Sequence, residues 1–262
     1  MTEQRPDRTP VDTPPAAAGT LVYRHRIVTR VWHWINAVAI VVMIGSGLMI
    51  LNAHPHLYWG QFGANFDTPW FSVSQVFESG RVPGWLTIPS SYNLALARRW
   101  HLFFALILAF GLLLYLLVGL ANRHFQRDLR FRVQELAPAH LAHDVREHLA
   151  LRFHDPKRPA DYNTLQKLSY VAVLFVLLPL IILTCLTMSP GIDAAAPWLL
   201  DLFGGRQSAR SIHFIVTMLI IAFTIIHLAL VILAGIGNEL RSMVTGWWRL
   251  PQDTARDGER EA

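Results

Sequence analysis

The chain has 262 residues, 53% of them hydrophobic and only 16% charged, with a net charge of +5 at neutral pH. So little charge argues against an ordinary soluble domain and suits a membrane protein. The single cysteine, Cys185, excludes an intrachain disulfide, a multi-cysteine iron–sulfur site and a C-x-x-C-H haem attachment.

Residues 1–20, "MTEQRPDRTPVDTPPAAAGT", are polar and Pro-rich and lack an apolar core segment. They read as a disordered cytoplasmic tail rather than a signal peptide. Four apolar stretches then approach or exceed the roughly 20 residues that cross a bilayer. They are 31–51, 100–121, 168–188 and 211–235, and none holds Asp, Glu, Lys or Arg. Between the first two lies a long outer segment, 52–99, rich in aromatics, Pro and Gly. Residues 122–167 form a basic inner loop in which Leu141, Val145 and Leu149 recur at i, i+4 and i+8. That spacing predicts a short amphipathic helix on the membrane surface. Pro179 is expected to kink the third span. Residues 189–210 connect to the fourth span, and 251–262 form a second cytoplasmic tail. The fold class is all-α: an integral-membrane four-helix bundle occupying residues 21–250, with both termini cytoplasmic.

The orientation comes from charge. Of 23 Lys and Arg, 18 fall in residues 1–30, 121–167 and 236–262; the other five fall in 52–99 and 189–210. The positive-inside rule puts the first group in the cytoplasm. The basic balance therefore reads as membrane topology, with lipid as the surrounding partner and no nucleic acid. The nine tryptophans agree: Trp32, Trp34 and Trp100 sit at span starts, and the other six sit in loops or just beyond the spans.

Eight of the twelve histidines lie outside the spans and read as solvated residues: His25, His54, His56, His124, His140, His143, His148 and His154. The remaining four, His33, His101, His213 and His227, lie inside them. Ionisable residues within membrane helices are rare and usually functional. His213 and His227 are 14 residues apart, hence on one helix face and roughly 21 Å apart along the axis. Depth pairs His101 with His213 toward the outer side and His33 with His227 toward the cytoplasm. One imidazole from each of two helices at matching depth suits bis-histidine ligation of haem iron.

Haem propionates call for cations. Arg24, Arg26 and Arg30 lie by the inner pair and Arg98, Arg99 and Arg210 by the outer one; each is otherwise an interface anchor. Gly47 and Gly119 fall at the depths of the outer and inner pairs, where they leave room for a macrocycle. Thr217 and Thr224 either accept a ring N–H bond or bond back to their own helix.

The segment "YRHRIVTRVWHWINA" (23–37), with the fourth-span histidines 14 apart, resembles the four-helix di-haem cytochrome b family. That family includes the membrane subunits of formate dehydrogenase, nickel–iron hydrogenase and thiosulfate reductase. The phrases "NAHPHLYWGQ", "LTMSPGIDAA" and "DLFGGRQSARSIHF" are similar to thiosulfate-reductase-type, cytochrome b561-like members. The resemblance covers about 21–250. It implies two non-covalent b haems, ligated by His33, His101, His213 and His227. It also implies a bacterial inner-membrane location, electron exchange with quinone, and a periplasmic molybdopterin oxidoreductase as partner. Asn36, Tyr162, Asn163 and Gln166 are the candidates for a quinone site near the cytoplasmic haem, or else ordinary interface residues. The alternative function is a stand-alone superoxide:quinone oxidoreductase. A histidine-lined metal transporter would need acidic residues along its path, and the spans hold none.

Overall fold

The computed structural model describes residues 19–64, 66–123, 125, 137–149 and 164–250. Four helices among these are long and apolar enough to cross a membrane: Ile27–Ala53, Leu94–Ala121, Thr164–Thr187 and Arg206–Leu233. They are referred to below as the first to fourth spans. Each contains the greater part of a stretch expected from hydropathy, extended at its N-terminal end. The extensions carry polar residues such as Arg30, Arg98 and Arg210, because a helix continues until its backbone is capped, whatever its side chains. The second span, for example, starts where the Asn93 side chain accepts from the Leu96 N–H.

The third span is irregular where the sequence suggested. Its helix opens into a π-turn at Val173–Leu177 and resumes at Leu178. Pro179 has no N–H to donate, and its ring crowds the carbonyl four residues back. A local π-turn absorbs both defects.

Met43, Leu108, Leu112, Tyr115, Leu174, Leu178, Ile181, Val216 and Ile220 form the shared core, with contributions from all four spans. Outward-facing apolar residues such as Val41, Phe110, Leu114 and Ile225 stay exposed, as lipid-facing side chains must.

Two ends are distinguished by what closes them. At the terminal end, strand β1 (Leu21–Tyr23) pairs antiparallel with strand β4 (Trp247–Arg249). A ten-residue helix, Ile236–Thr245, leads into β4 and turns off the fourth span at Gly235, whose φ of +103° favours glycine. Trp248 is fully buried there; its indole N–H donates to Glu239, and the Arg24 guanidinium lies 4.9 Å over its ring. At the loop end, the segment after the first span is a built structure. It contains a small hairpin of β2 (His56–Leu57) and β3 (Phe71–Ser72), and 3-10 turns at Val73–Gln75 and Gly84–Leu86. The amphipathic helix expected in the basic loop is present as Pro138–Leu149. The tails 1–18 and 251–262, and most of the rest of that loop, lie outside the described residues.

The loop-end segment is docked by specific bonds. Asn52 holds Val82 with both amide atoms, accepting from its N–H at 2.7 Å and donating to its carbonyl at 3.0 Å. Gly60 bonds to the first turn of the fourth span: its carbonyl accepts from the Gln207 and Ser208 N–H groups, and its N–H donates to the Ser208 hydroxyl. Trp70 donates to Ser211 at 2.8 Å, and Ser211 donates to the Tyr58 carbonyl at 2.5 Å. The segment therefore uses the unpaired amides of a helix start.

Candidate functional site

The four span histidines meet in two pairs. His101 stands seven residues after the start of the second span at Leu94, and His213 seven after the start of the fourth at Arg206. Their ring centres are 6.3 Å apart, with planes at 60°. His33 stands six residues after Ile27, and His227 six before Leu233. Their ring centres are 6.2 Å apart, with planes at 52°.

That separation tests the fit to a metal. A metal–imidazole nitrogen bond is about 2.0–2.1 Å. With about 1.1 Å from each nitrogen to its ring centre, two imidazoles on opposite sides of one such metal would have centres roughly 6.3 Å apart. Both pairs stand at this distance, too far for a direct hydrogen bond and too close for an intervening side chain. Among the described residues, no group of three or more His, Cys, Asp or Glu side chains comes together. A metal held by two protein ligands needs its other ligands from elsewhere, which a macrocycle supplies.

The loop-end pair lines a cavity. A cavity of about 310 Å³ is lined by His101, His213, Gly47 and mainly apolar neighbours, including Met43, Leu108, Leu178, Ile181 and Phe214. Arg98 and Arg210 also line it. Arg99, grouped with them on sequence, is exposed and not among the lining residues. Arg210 also donates to the His54 carbonyl, fixing the guanidinium at the mouth. Burial, then the charges of Arg210 and Arg98, hold the His54 imidazole below its ordinary pKa.

Each loop-end imidazole is gripped from behind. The Ser46 hydroxyl lies 3.1 Å from Nδ1 of His101, and the Thr184 hydroxyl 3.0 Å from Nδ1 of His213. Thr217 and Thr224, on the fourth span itself, instead donate to carbonyls of their own helix, those of His213 and Ile220, both at 2.8 Å. The available signal was a hydroxyl on a neighbouring span at the same depth, rather than one on the ligand's own helix. Gly47 packs against the ring: a Cβ there would stand 3.3 Å from Cε1 of His101.

The terminal-end pair is built differently. Phe223 stacks near-parallel on His227, and Trp34 meets His33 edge-on. Nδ1 of His33 is buried with no hydrogen-bond partner among the described residues. Arg24 is engaged with Glu239 at 3.9 Å and with Trp248. Arg26 is exposed at the helix start, and Arg30 packs beside Gly246. Asn36 is buried; its amide donates to the Trp32 carbonyl at 2.7 Å, and its oxygen has no partner among the described residues. Gln166 is half-buried in the first turn of the third span. Tyr162 and Asn163 lie outside the described residues. Gly119, expected to clear space at this depth, instead receives the Phe125 ring.

Four apolar spans, with histidines paired between them at two depths, define a membrane-spanning helical protein of the cytochrome type. The chain belongs to the prokaryotic cytochrome b561 family, whose model matches residues 24–246. It is therefore a prokaryotic membrane electron-transfer protein, and its family implies haem b. It is 28% identical to a chain assigned as the protein-methionine-sulfoxide reductase subunit YedZ1 of Azospira oryzae, over 83% of this chain and 93% of that one. It is 25% identical to chains assigned as Ni/Fe-hydrogenase B-type cytochrome subunits. The Azotobacter vinelandii protein matches over 91% of this chain and 92% of its own length, and the Cupriavidus necator protein over 92% and 93%. No solved structure matches the chain.

Proposed function

We propose that the chain holds two b haems, His101 and His213 binding one at the loop end and His33 and His227 the other at the terminal end. The protein then moves electrons across the membrane between a partner oxidoreductase and quinone. The observation that carries this reading is the ring separation of 6.2–6.3 Å in both pairs. Bound there, haem supplies a reversible one-electron couple.

The chain's own residues do the rest. The histidines present ring nitrogens from facing helices. The apolar cavity wall excludes water, and Arg98 and Arg210 offer positive charge to propionates at its mouth. The 14-residue step from His213 to His227 sets an axial separation of roughly 21 Å between the pairs. The terminal end, with Asn36 and Gln166 near the start of their spans, is where quinone exchange is proposed; Tyr162 and Asn163 belong to the same candidate set. The charge distribution supports a cytoplasmic terminal end and a periplasmic docked loop segment.

Relatives assigned as subunits of hydrogenase and of methionine-sulfoxide reductase support a partner enzyme at the loop end. A molybdopterin oxidoreductase is the partner we favour, on the resemblance to thiosulfate-reductase-type cytochromes. The segment after the first span, bonded to the fourth span six residues or fewer from His213, suits docking.

The test is haem stoichiometry and the reduced-minus-oxidised spectrum of purified protein. Wild type should hold two b haems, and His213→Ala and His227→Ala should each lose one. Two haems retained in either variant would refute the ligand assignment. Quinone reduction from superoxide by the chain alone would favour the partner-free alternative over a subunit role.

A further inference from the structure

The third span carries no histidine, yet it reaches the loop-end site through one buried hydroxyl. The same device appears on the first span. Ser46 and Thr184 are both fully buried. Ser46 donates to the Val42 carbonyl four residues back at 2.7 Å, with Met43 at 3.3 Å. Thr184 donates to Leu180, again four back, at 2.9 Å, with Ile181 at 3.0 Å. Each hydroxyl has one proton, committed to its own helix. Toward the imidazole it offers only a lone pair.

While each hydroxyl keeps its back-bond, Nδ1 of His101 and Nδ1 of His213 carry the hydrogen and donate it. The lone pair of each ring then lies on Nε2, the nitrogen left to face the cavity. Span one braces the ligand of span two, and span three braces the ligand of span four. Two unrelated sequence positions converge on one arrangement. The terminal-end pair has no such brace on His33, whose Nδ1 lacks a partner among the described residues.

We infer that Ser46 and Thr184 are positioning residues that fix the tautomer of the loop-end imidazoles and lower the reduction potential of the haem they bind, leaving the other unaffected. The inference rests on the ligand reading proposed above. An imidazole that donates from Nδ1 is a more basic ligand, and a more basic ligand favours ferric over ferrous iron. A neutral hydroxyl polarises the ring less than a carboxylate would, so the effect is a tuning of the site. The inference also gives the histidine-free third span a role in the redox site.

The experiment is a potentiometric titration of the purified full-length cytochrome, followed in the b-type absorbance band and by the ferric low-spin resonances. Ser46→Ala, Thr184→Val, the double variant and the hydroxyl-preserving Thr184→Ser are compared with wild type. One of the two midpoint potentials should rise in each single variant and rise further in the double. The other midpoint should stay in place, and Thr184→Ser should behave as wild type. Unmoved midpoints, equal movement of both, or a Thr184→Ser indistinguishable from Thr184→Val would overturn the inference. Loss of one haem from Thr184→Val but not from Thr184→Ser would support it, since Ser keeps the hydroxyl and gives up the methyl while Val does the reverse. Loss from both would assign Thr184 to packing alone and overturn it. A wild-type protein without two b haems would defeat the ligand reading instead, so the two failures are distinguishable.

Discussion

Gly47 offers the sharpest steric test of the loop-end site. A Cβ at this position would lie 3.3 Å from Cε1 and 3.7 Å from Nδ1 of His101. Carbon contacts prefer about 3.5–4.0 Å, so Gly47→Ala asks the ring to retreat by a few tenths of an ångström. With the site empty, the ring can swing that far. With a metal on Nε2 and Ser46 on Nδ1, it is held from both sides. The penalty therefore falls on the loaded form. Overpacking of this kind costs about 1–3 kcal/mol, which corresponds to roughly 5- to 150-fold weaker haem binding at that site. The helix propensity gained by replacing glycine acts on both forms and cancels. The assay is haem transfer from purified cytochrome to an excess of an apo-haemoprotein acceptor. Gly47→Ala should release one haem faster and keep the second at the wild-type rate, and Gly47→Leu should purify with one haem. Gly191→Ala is the control, because a Cβ there meets nothing within 4 Å. Unchanged release of both haems from Gly47→Leu would refute the site geometry.

Three further outcomes follow from the fold. Burial, with the charges of Arg24, His33 and Arg30, pushes the His25 imidazole down to about 4. Its unfolded value is about 6.5, so the folded chain keeps this group neutral where the unfolded chain protonates it. The associated stability is complete above pH 6.5 and is lost progressively as pH falls toward 4; His25→Gln should flatten the fall in melting temperature across that window. Asn52→Ala strips both bonds from Val82, which is 5% exposed. About 1–3 kcal/mol of local stability should go with each group left unsatisfied, read as faster proteolysis within residues 52–93 while both haems remain. Reporter fusions after residue 250 should be active only in the cytoplasmic form, and activity of the periplasmic form would invert the topology.

The spans were legible because lipid demands long charge-free helices, and nothing else in a sequence imitates four of them. The histidine pairs were legible because helical rise and antiparallel order convert sequence position into depth. His33 and His227, 194 residues apart, needed no other information. The braces were not legible. A serine or threonine in a membrane helix ordinarily bonds back to its own carbonyls, and Ser46 and Thr184 do so too. Only the lateral packing of spans one and three puts their second lone pairs against the rings. The structure of the 52–99 segment was not legible for another reason. Its order comes from side chain-to-backbone clamps such as Asn52 and from the amides of the fourth span, neither of which leaves a repeat. Gly119 was read by depth alone; helix phase and the packing of Phe125 decided its environment.

The strand pair at the terminal end sets an order of assembly. Leu21–Tyr23 precedes the first of the four spans, yet its partner, Trp247–Arg249, follows the fourth. The first strand therefore waits for this partner until residues 247–249 have been made. Trp248, sealed between Arg24 and Glu239, is the latch that joins the two strands across the four-span unit. A chain released before residue 247 would keep every histidine and every span, yet leave the cytochrome unfastened at that end.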